Sequence, residues 1–383
     1  MEMMRTFLLF TLLLSLIWGQ SACHSDKTSA SLKKNNAIPD SLSLHHAKGF
    51  ALEELPNHKL VIVYNPWDTA SILAKYYLVK DTSVTVPNDG IKIKIPIPSI
   101  AATSCTHYEF LTLLDEVESI TAICNSDRVY NSLIAARFSA GKMTDLGDNF
   151  NINLERLFSV RPEVVMVSGY EQNDKYSKMI EKSGIPVLYN QEWRETTLLG
   201  RAEWIKFIAA FYDKSELADS IFEDIENRYR AISTKVQGEK NRPKILSGGD
   251  FRGTWYLPGG QSYMADMYRD AGADYFYSEN KNTASLSFTF ESVLNNFIAA
   301  DYWFNAPYYT WKELKDADER YTYFAAYGKQ QIYHFNKRRS PSGSSDFWES
   351  AIARPDLLLA DVIKIIHPEL LPEHELFYIE KLK

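Results

Sequence analysis

Asn153-Leu154-Glu155-Arg156-Leu157-Phe158 and Thr289-Phe290-Glu291-Ser292-Val293-Leu294 read alike: polar cap, apolar, Glu, polar, apolar, apolar. Asn and Thr are good helix N-caps, and a Glu in the first turn complements the helix dipole. Any ordinary helix start looks like this. Position sets these two apart. Each precedes a short apolar strand, at Val164 and at Tyr302, and the two glutamates stand 136 residues apart. The pairing predicts two equivalent α/β lobes with one glutamate at a corresponding point on each.

Around both segments short apolar runs alternate with helical patterns: 120–124, 164–167 and 185–188, then 244–246, 301–304 and 331–335. Such alternation predicts parallel strands in α/β units. Between the two halves, Leu217, Ile221, Ile225, Tyr229 and Ile232 recur at spacings of 4, 4, 4 and 3, with no Gly or Pro between Arg201 and Val236. This is the pattern of a long amphipathic helix, with a break expected near Asp213. The expected organisation is a signal peptide over 1–22, a lipid-anchored tether over 23–57, an α/β lobe over 58–195, a connecting helix over 196–240 and a second α/β lobe over 241–383. A strand hairpin at about 58–80 begins the first lobe, and a helix over 355–366 comes late in the second.

At the N-terminus, Arg5 precedes an apolar run over 7–18 broken by Thr11 and Ser15. The run is too short to span a bilayer and has the length of a signal-peptide core. Ser21-Ala22-Cys23 resembles the lipobox of bacterial lipoproteins, with Gln20 where an aliphatic residue is preferred. The resemblance implies export to the periplasm, acylation of Cys23 and a membrane-held protein. Residues 24–40 are rich in Ser, Lys, Asn and Asp, as a flexible tether is.

Composition narrows the classes. The chain has 383 residues, 45% hydrophobic and 24% charged, with a formal charge of −7. This is a folded protein, and its acidic balance argues against nucleic-acid binding. Three cysteines exclude a disulfide scaffold. Cys105 and Cys124 fit either a disulfide or two thiols.

The order Leu146-Gly147-Asp148, Asn153 to Val167, Ser183-Gly184-Ile185-Pro186-Val187, a long helix, 259–272 and the second Glu segment resembles the class III periplasmic substrate-binding proteins of siderophore, haem and cobalamin ABC importers. The likeness covers roughly 90–383. It implies two α/β lobes joined by a single long helix, and a monomer that captures an iron chelate, haem or cobalamin between them. It also implies an ABC permease as partner, docked through Glu155 and Glu291, with no cofactor or resident metal and no enzymatic activity.

Ligands of such a fold lie between the lobes, on loops after strands. The candidates are His107, Tyr170, Trp193, Arg194, Arg252, Trp255, Tyr308, Trp311 and Arg338. Aromatic faces suit a flat macrocycle or catecholate, and arginine suits carboxylates on a chelate. Trp303 and Phe304 lie inside a strand and read as core. Lys337-Arg338-Arg339 fits an anion-attracting cluster or a solvated turn equally. A receptor for bare zinc or manganese is an alternative. It requires several converging His and carboxylates, yet only eight His exist and His107 and His334 alone fall near the expected cleft. An exported α/β hydrolase is a further alternative, but Gly-x-Ser-x-Gly, His-Glu-x-x-His and P-loop patterns are all missing.

Overall fold

A computed structural model of the chain describes residues 44–68, 71–169 and 174–383. The signal peptide, Cys23, most of the expected tether and Tyr170 lie outside the described residues.

The first lobe is built on a parallel five-stranded sheet, with strands β5 (Ile100–Ala102), β6 (Ile120–Ile123), β7 (Thr144–Asp145), β10 (Val164–Val167) and β11 (Val187–Tyr189) in the order β11-β10-β5-β6-β7. Val164-Val165-Met166-Val167 is buried throughout, as expected for a strand covered on both faces. Helices α1 (Tyr108–Leu113), α2 (Ser132–Ser139), α3 (Leu154–Val160) and α4 (Asp174–Lys182) connect the strands, with a short ladder of β8 (Gly147–Asp148) and β9 (Asn151–Ile152) before α3.

In front of it stands a sheet of β1 (Phe50–Leu55), β2 (His58–Tyr64), β3 (Ile72–Val79) and β4 (Ile91–Lys94). The expected hairpin is β2–β3, and β1 and β4 widen it. The Tyr76 hydroxyl donates to the Val187 carbonyl at 2.8 Å and accepts from the Tyr189 amide at 3.1 Å, clipping this sheet to edge strand β11.

The second lobe carries β12 (Lys244–Ser247), β15 (Asp274–Tyr275) and β17 (Tyr302–Phe304), parallel in the order β15-β12-β17. An antiparallel sheet of β13 (Gly249–Phe251), β14 (Thr254–Pro258) and β16 (Ser285–Phe288) and a ladder of β18 (Tyr333–His334) with β19 (Glu380–Lys381) complete it. Gly248 at φ 71° makes the turn from β12 into β13, where a Cβ would sit 2.2 Å from the Tyr256 carbonyl. Helices α8 (Tyr263–Asp270), α9 (Phe290–Phe297), α10 (Trp311–Ala317), α11 (Ala325–Gly328) and α12 (Pro355–Ile366) surround these strands.

The linker breaks near Asp213, as expected, and once more before Ile205. It is α5 (Leu198–Ala202), α6 (Ile205–Phe211) and α7 (Ser215–Ser233), with Asp213 in the left-handed region at φ 56°. Every residue of α6 is buried, whereas α7 buries one stripe, Ala218, Phe222, Ile225 and Tyr229. The chain turns between them because the two helices meet different surroundings. Leu217, part of the expected apolar stripe, is exposed.

The tether was expected to continue to residue 57. Instead, residues 45–49 lie along the linker and β1 is a full strand. Glu203, wholly buried, accepts from the backbone amides of His45, His46 and Ala47 at 2.8–3.1 Å. Glu195 accepts from Lys48, Gly49 and the Trp204 indole at 2.8–3.1 Å. The Phe50 ring then packs on Trp204, centroids 4.6 Å apart. The acids lie about 150 residues from the amides they hold, so composition near residue 45 carried no sign of them. Cys105 and Cys124 are both free thiols.

Glu203→Ala strands three amides and should cost roughly 3 kcal/mol or more of unfolding free energy. The exposed Glu155→Ala should cost under about 0.5 kcal/mol. Urea titration of both variants checks this, and equal midpoints would refute the anchoring role.

Candidate functional site

The lobes meet where loops leave the carboxyl ends of β5 and β6. Glu349, 2% exposed and on the second lobe, accepts from the Tyr130 and Asn131 amides of the first at 2.6 and 2.7 Å. These amides open α2, where Asn131 is the N-cap and its side chain accepts from Leu133 and Ile134. The Cys105 thiol reaches the Trp348 carbonyl at 3.7 Å.

Beside this latch opens a cleft of about 730 Å³, solvent-facing volume included. Glu109, Tyr130 and Asn131 line one wall; Arg338, Asp346 and Arg354 line the other. The Arg338 guanidinium lies 4.2 Å from the Phe377 ring centroid and 5.6 Å from that of Tyr130, and its Nε donates to Asp346 at 2.6 Å. Arg354 donates to both oxygens of Asp356 at 3.0 Å, and Arg228 of α7 donates to the same carboxylate at 2.9 Å. The cleft thus offers one guanidinium, Arg338, over two aromatic faces, and a second, Arg354, both already paired with carboxylates.

Burial governs the electrostatics. It pushes the Glu349 carboxyl up to about 7, aided by Asp346 and Glu109 and opposed by the two amides it accepts from. Burial likewise raises Glu109, with Asp346 adding and Arg354 opposing. The Cys105 thiol is pushed up to about 12, again mainly by burial, so it is no nucleophile at neutral pH.

Of the sequence candidates, Arg338 alone lines this cleft. His107 is wholly buried without a hydrogen-bond partner at either nitrogen, and burial pulls it down to about 3. It stays neutral and faces no ligand space. Trp255 is a correction: it lies in β14, fully buried, its ring 5.2 Å from Trp303 and its indole donating to the Ser247 carbonyl at 3.0 Å. What looked like a loop after a strand is a hairpin whose aromatic fills the core. Trp193 and Arg194 form their own half-buried pair, the guanidinium 5.2 Å from the indole, which donates to the Ser168 carbonyl. They sit near a first-lobe cavity lined by Thr103, Ser168 and Gly169. Arg252 is exposed at the β13–β14 turn, stacked on Phe251. The hydroxyls of Tyr308 and Tyr321 are 3.4 Å apart, and Trp311 packs edge-on against Tyr327. His334 is buried, as its place beside Tyr309 requires. Trp303 and Phe304 are core, as expected. Sequence reasoning did not single out Tyr130, Asp346, Glu349 or Arg354, which carry no local motif.

Glu155 and Glu291 each occupy the first turn of a helix, α3 and α9, capped by the Asn153 and Thr289 side chains. Both are exposed. Glu291 accepts from Arg320 at 3.0 Å, and its carboxyl is held below the usual range, chiefly by its own backbone amide and also by Thr289 and Arg320.

The family model for periplasmic binding proteins matches residues 100–337, more than half of the chain. An uncharacterized lipoprotein of Methanocaldococcus jannaschii is 25% identical over 76% of this chain and 72% of its own length. A second, also called an uncharacterized lipoprotein, is 22% identical over the whole of both chains. Among solved structures, the fold is similar to a possible iron-binding protein of Staphylococcus epidermidis (TM-score 0.54, 15% identity, 71% of this chain and 99% of that one). It is also similar to a haem-binding protein of Vibrio cholerae (TM-score 0.52, 15% identity, 68% and 98%).

A carboxyl raised from the ordinary 4.5 to about 7 binds its proton more tightly folded than unfolded, so its contribution falls as pH rises from about 4.5 through 7. Wild-type stability should therefore drop across that window relative to Glu349→Gln, which cannot titrate. Denaturant titrations at pH 5 and 7.5 measure the difference, and parallel pH curves would remove the assignment.

Proposed function

Since the chain belongs to the periplasmic binding protein family, whose members are solute receptors of ABC-type transporters and not enzymes, we propose that its solute is a preformed metal chelate. An iron siderophore, haem or cobalamin fits, held between the lobes and handed to a membrane permease. The observation that carries this is the cleft at Arg338, whose guanidinium lies against the Tyr130 and Phe377 rings; a cation among aromatic faces suits a flat complex bearing acceptor groups. A bare zinc or manganese ion would need three converging donors. Among the described residues the one such group, Glu239, His367 and Glu369, does not line the cleft.

Glu155 and Glu291, exposed at equivalent helix starts, present one negative charge per lobe to the permease. Rim charges of this kind set register and association rate. Titrating the Trp348 fluorescence, half-exposed beside the cleft, with haem, cobalamin and ferric siderophores should give saturable one-to-one quenching by one of them. Glu155→Lys with Glu291→Lys should abolish uptake in cells and leave that titration unchanged. Lost affinity with normal uptake, or no quenching by any chelate, would sink the proposal.

The relatives named lipoproteins support an anchor at Cys23. Mass spectrometry of the membrane-extracted protein should find an acylated Cys23 as first residue, and Cys23→Ser should release the protein from membranes. An unmodified N-terminus on membrane-bound protein contradicts this.

A further inference from the structure

We propose that Glu239, His367 and Glu369 form a divalent-cation site of the zinc class where the linker enters the second lobe. Glu239 lies on the turn after α7, between a 3-10 turn at Thr234–Val236 and β12. His367 caps the C-terminus of α12, and Glu369 follows it by two residues. One potential ligand atom from each lies within 4.8 Å of the others.

The histidine points to a ligand independently. Its residue is 1% exposed, its Nε2 makes no hydrogen bond, and its Nδ1 is the atom turned to the carboxylates. Nδ1 faces Glu369 Oε1 at 3.9 Å, too far for a hydrogen bond. The other face is sealed by Gly272, at φ 78°, where a Cβ would stand 2.4 Å from Val236 and 3.2 Å from Nε2. Coordination through Nδ1 would engage the nitrogen that faces the carboxylates, while Nε2 stays packed against Gly272.

The carboxylates are available. Neither is paired with a lysine or arginine among the described residues. Glu239 Oε1 accepts from the Asn241 amide at 2.8 Å, leaving its second oxygen for an ion. Glu369 is 64% exposed and free to swing inward. Tetrahedral zinc, with bonds of about 2.0–2.1 Å, holds its ligand atoms about 3.3 Å apart. Closing the triad therefore takes a shift of roughly 1.5 Å, within the reach of two glutamate side chains. One imidazole nitrogen and two carboxylate oxygens suit zinc better than calcium or magnesium, and a fourth position remains for water. Two carboxylates balance the charge of a divalent ion. The ion would tie the exit of α7 to the end of α12, outside the cleft, and act as a staple and not as cargo.

The test uses the purified, tag-free full chain and zinc chloride alone, followed by calorimetry and thermal unfolding. Wild type should bind one equivalent and melt higher with zinc. Cobalt in its place should give a visible tetrahedral absorption band. Glu239→Gln with Glu369→Gln, both outside the core, should fold as wild type without metal. Its affinity should fall by more than the ~10-fold that outer-shell partners cost, with chelate titration at the cleft unaffected. Absence of saturable zinc binding, or unchanged affinity in the double variant, overturns the proposal and leaves the cleft assignment intact.

Discussion

Buried carboxylates that capture backbone amides hold this molecule together. Glu203 takes three amides of the 45–47 segment, Glu195 takes two more, and Glu349 takes two across the lobe boundary. Asp361 of α12, also wholly buried, takes those of Phe377, Tyr378 and Ile379 at 2.6–2.9 Å. A carboxylate taken out of water is costly unless several donors surround it. Each of these acids meets that requirement with consecutive amides from a distant segment. The same bonds satisfy polar backbone that would otherwise sit unpaired beside the core. One constraint therefore fixes three things: the entry of the chain onto the linker, the closure of the lobes and the docking of the C-terminus.

The four acids differ in what they can release. Glu195, Glu203 and Asp361 join segments within one packed body, where the surrounding aromatic core would have to open before the amides separate. Glu349 spans two lobes whose other nearby links are a long thiol contact and a guanidinium over a ring. Burial raises its carboxyl to about 7, so its charge is easily lost near neutral pH. Helix α7 packs along α12 and the Arg228–Asp356 bond ties them, a connection of the kind that restrains hinge motion. Small closure is then governed by contacts of this kind and not by a flexible connection.

The alternation of strands and helices was legible because it rests on local pattern. Val164–Val167 and Ile120–Ile123 are apolar runs of strand length, and Asn153 and Thr289 cap their helices with their own side chains. The cleft was mostly illegible. Tyr130 and Glu349 stand 219 residues apart, and nothing near either one announces the other. Trp255 and Arg338 both follow strands and both are of cleft type. Only the fold shows that the first turns into a hairpin core while the second crosses to the opposite lobe. The break at Asp213 was legible, but the full burial of the helix before it was not. Residues 205–211 are buried between α1, α7 and a sheet whose first strand read as tether.

The two glutamates proposed to dock a permease are equivalent in sequence but not in setting. Glu291 already has an arginine partner in Arg320, whose guanidinium is also forked onto Asp318 at 2.7–3.0 Å and lies 4.2 Å from the Phe290 ring. Exposed ion pairs of this sort are screened by salt and exchange readily. In the docking proposed above, a permease arginine would replace Arg320 at Glu291. Arg320 would keep Asp318 and the Phe290 face, so no charge is left unpaired by the exchange. The swap conserves the number of pairs, and its net energy is correspondingly small. Its effect falls on orientation, because the geometry that Arg320 imposes on Glu291 in the free protein is the geometry an incoming guanidinium must match.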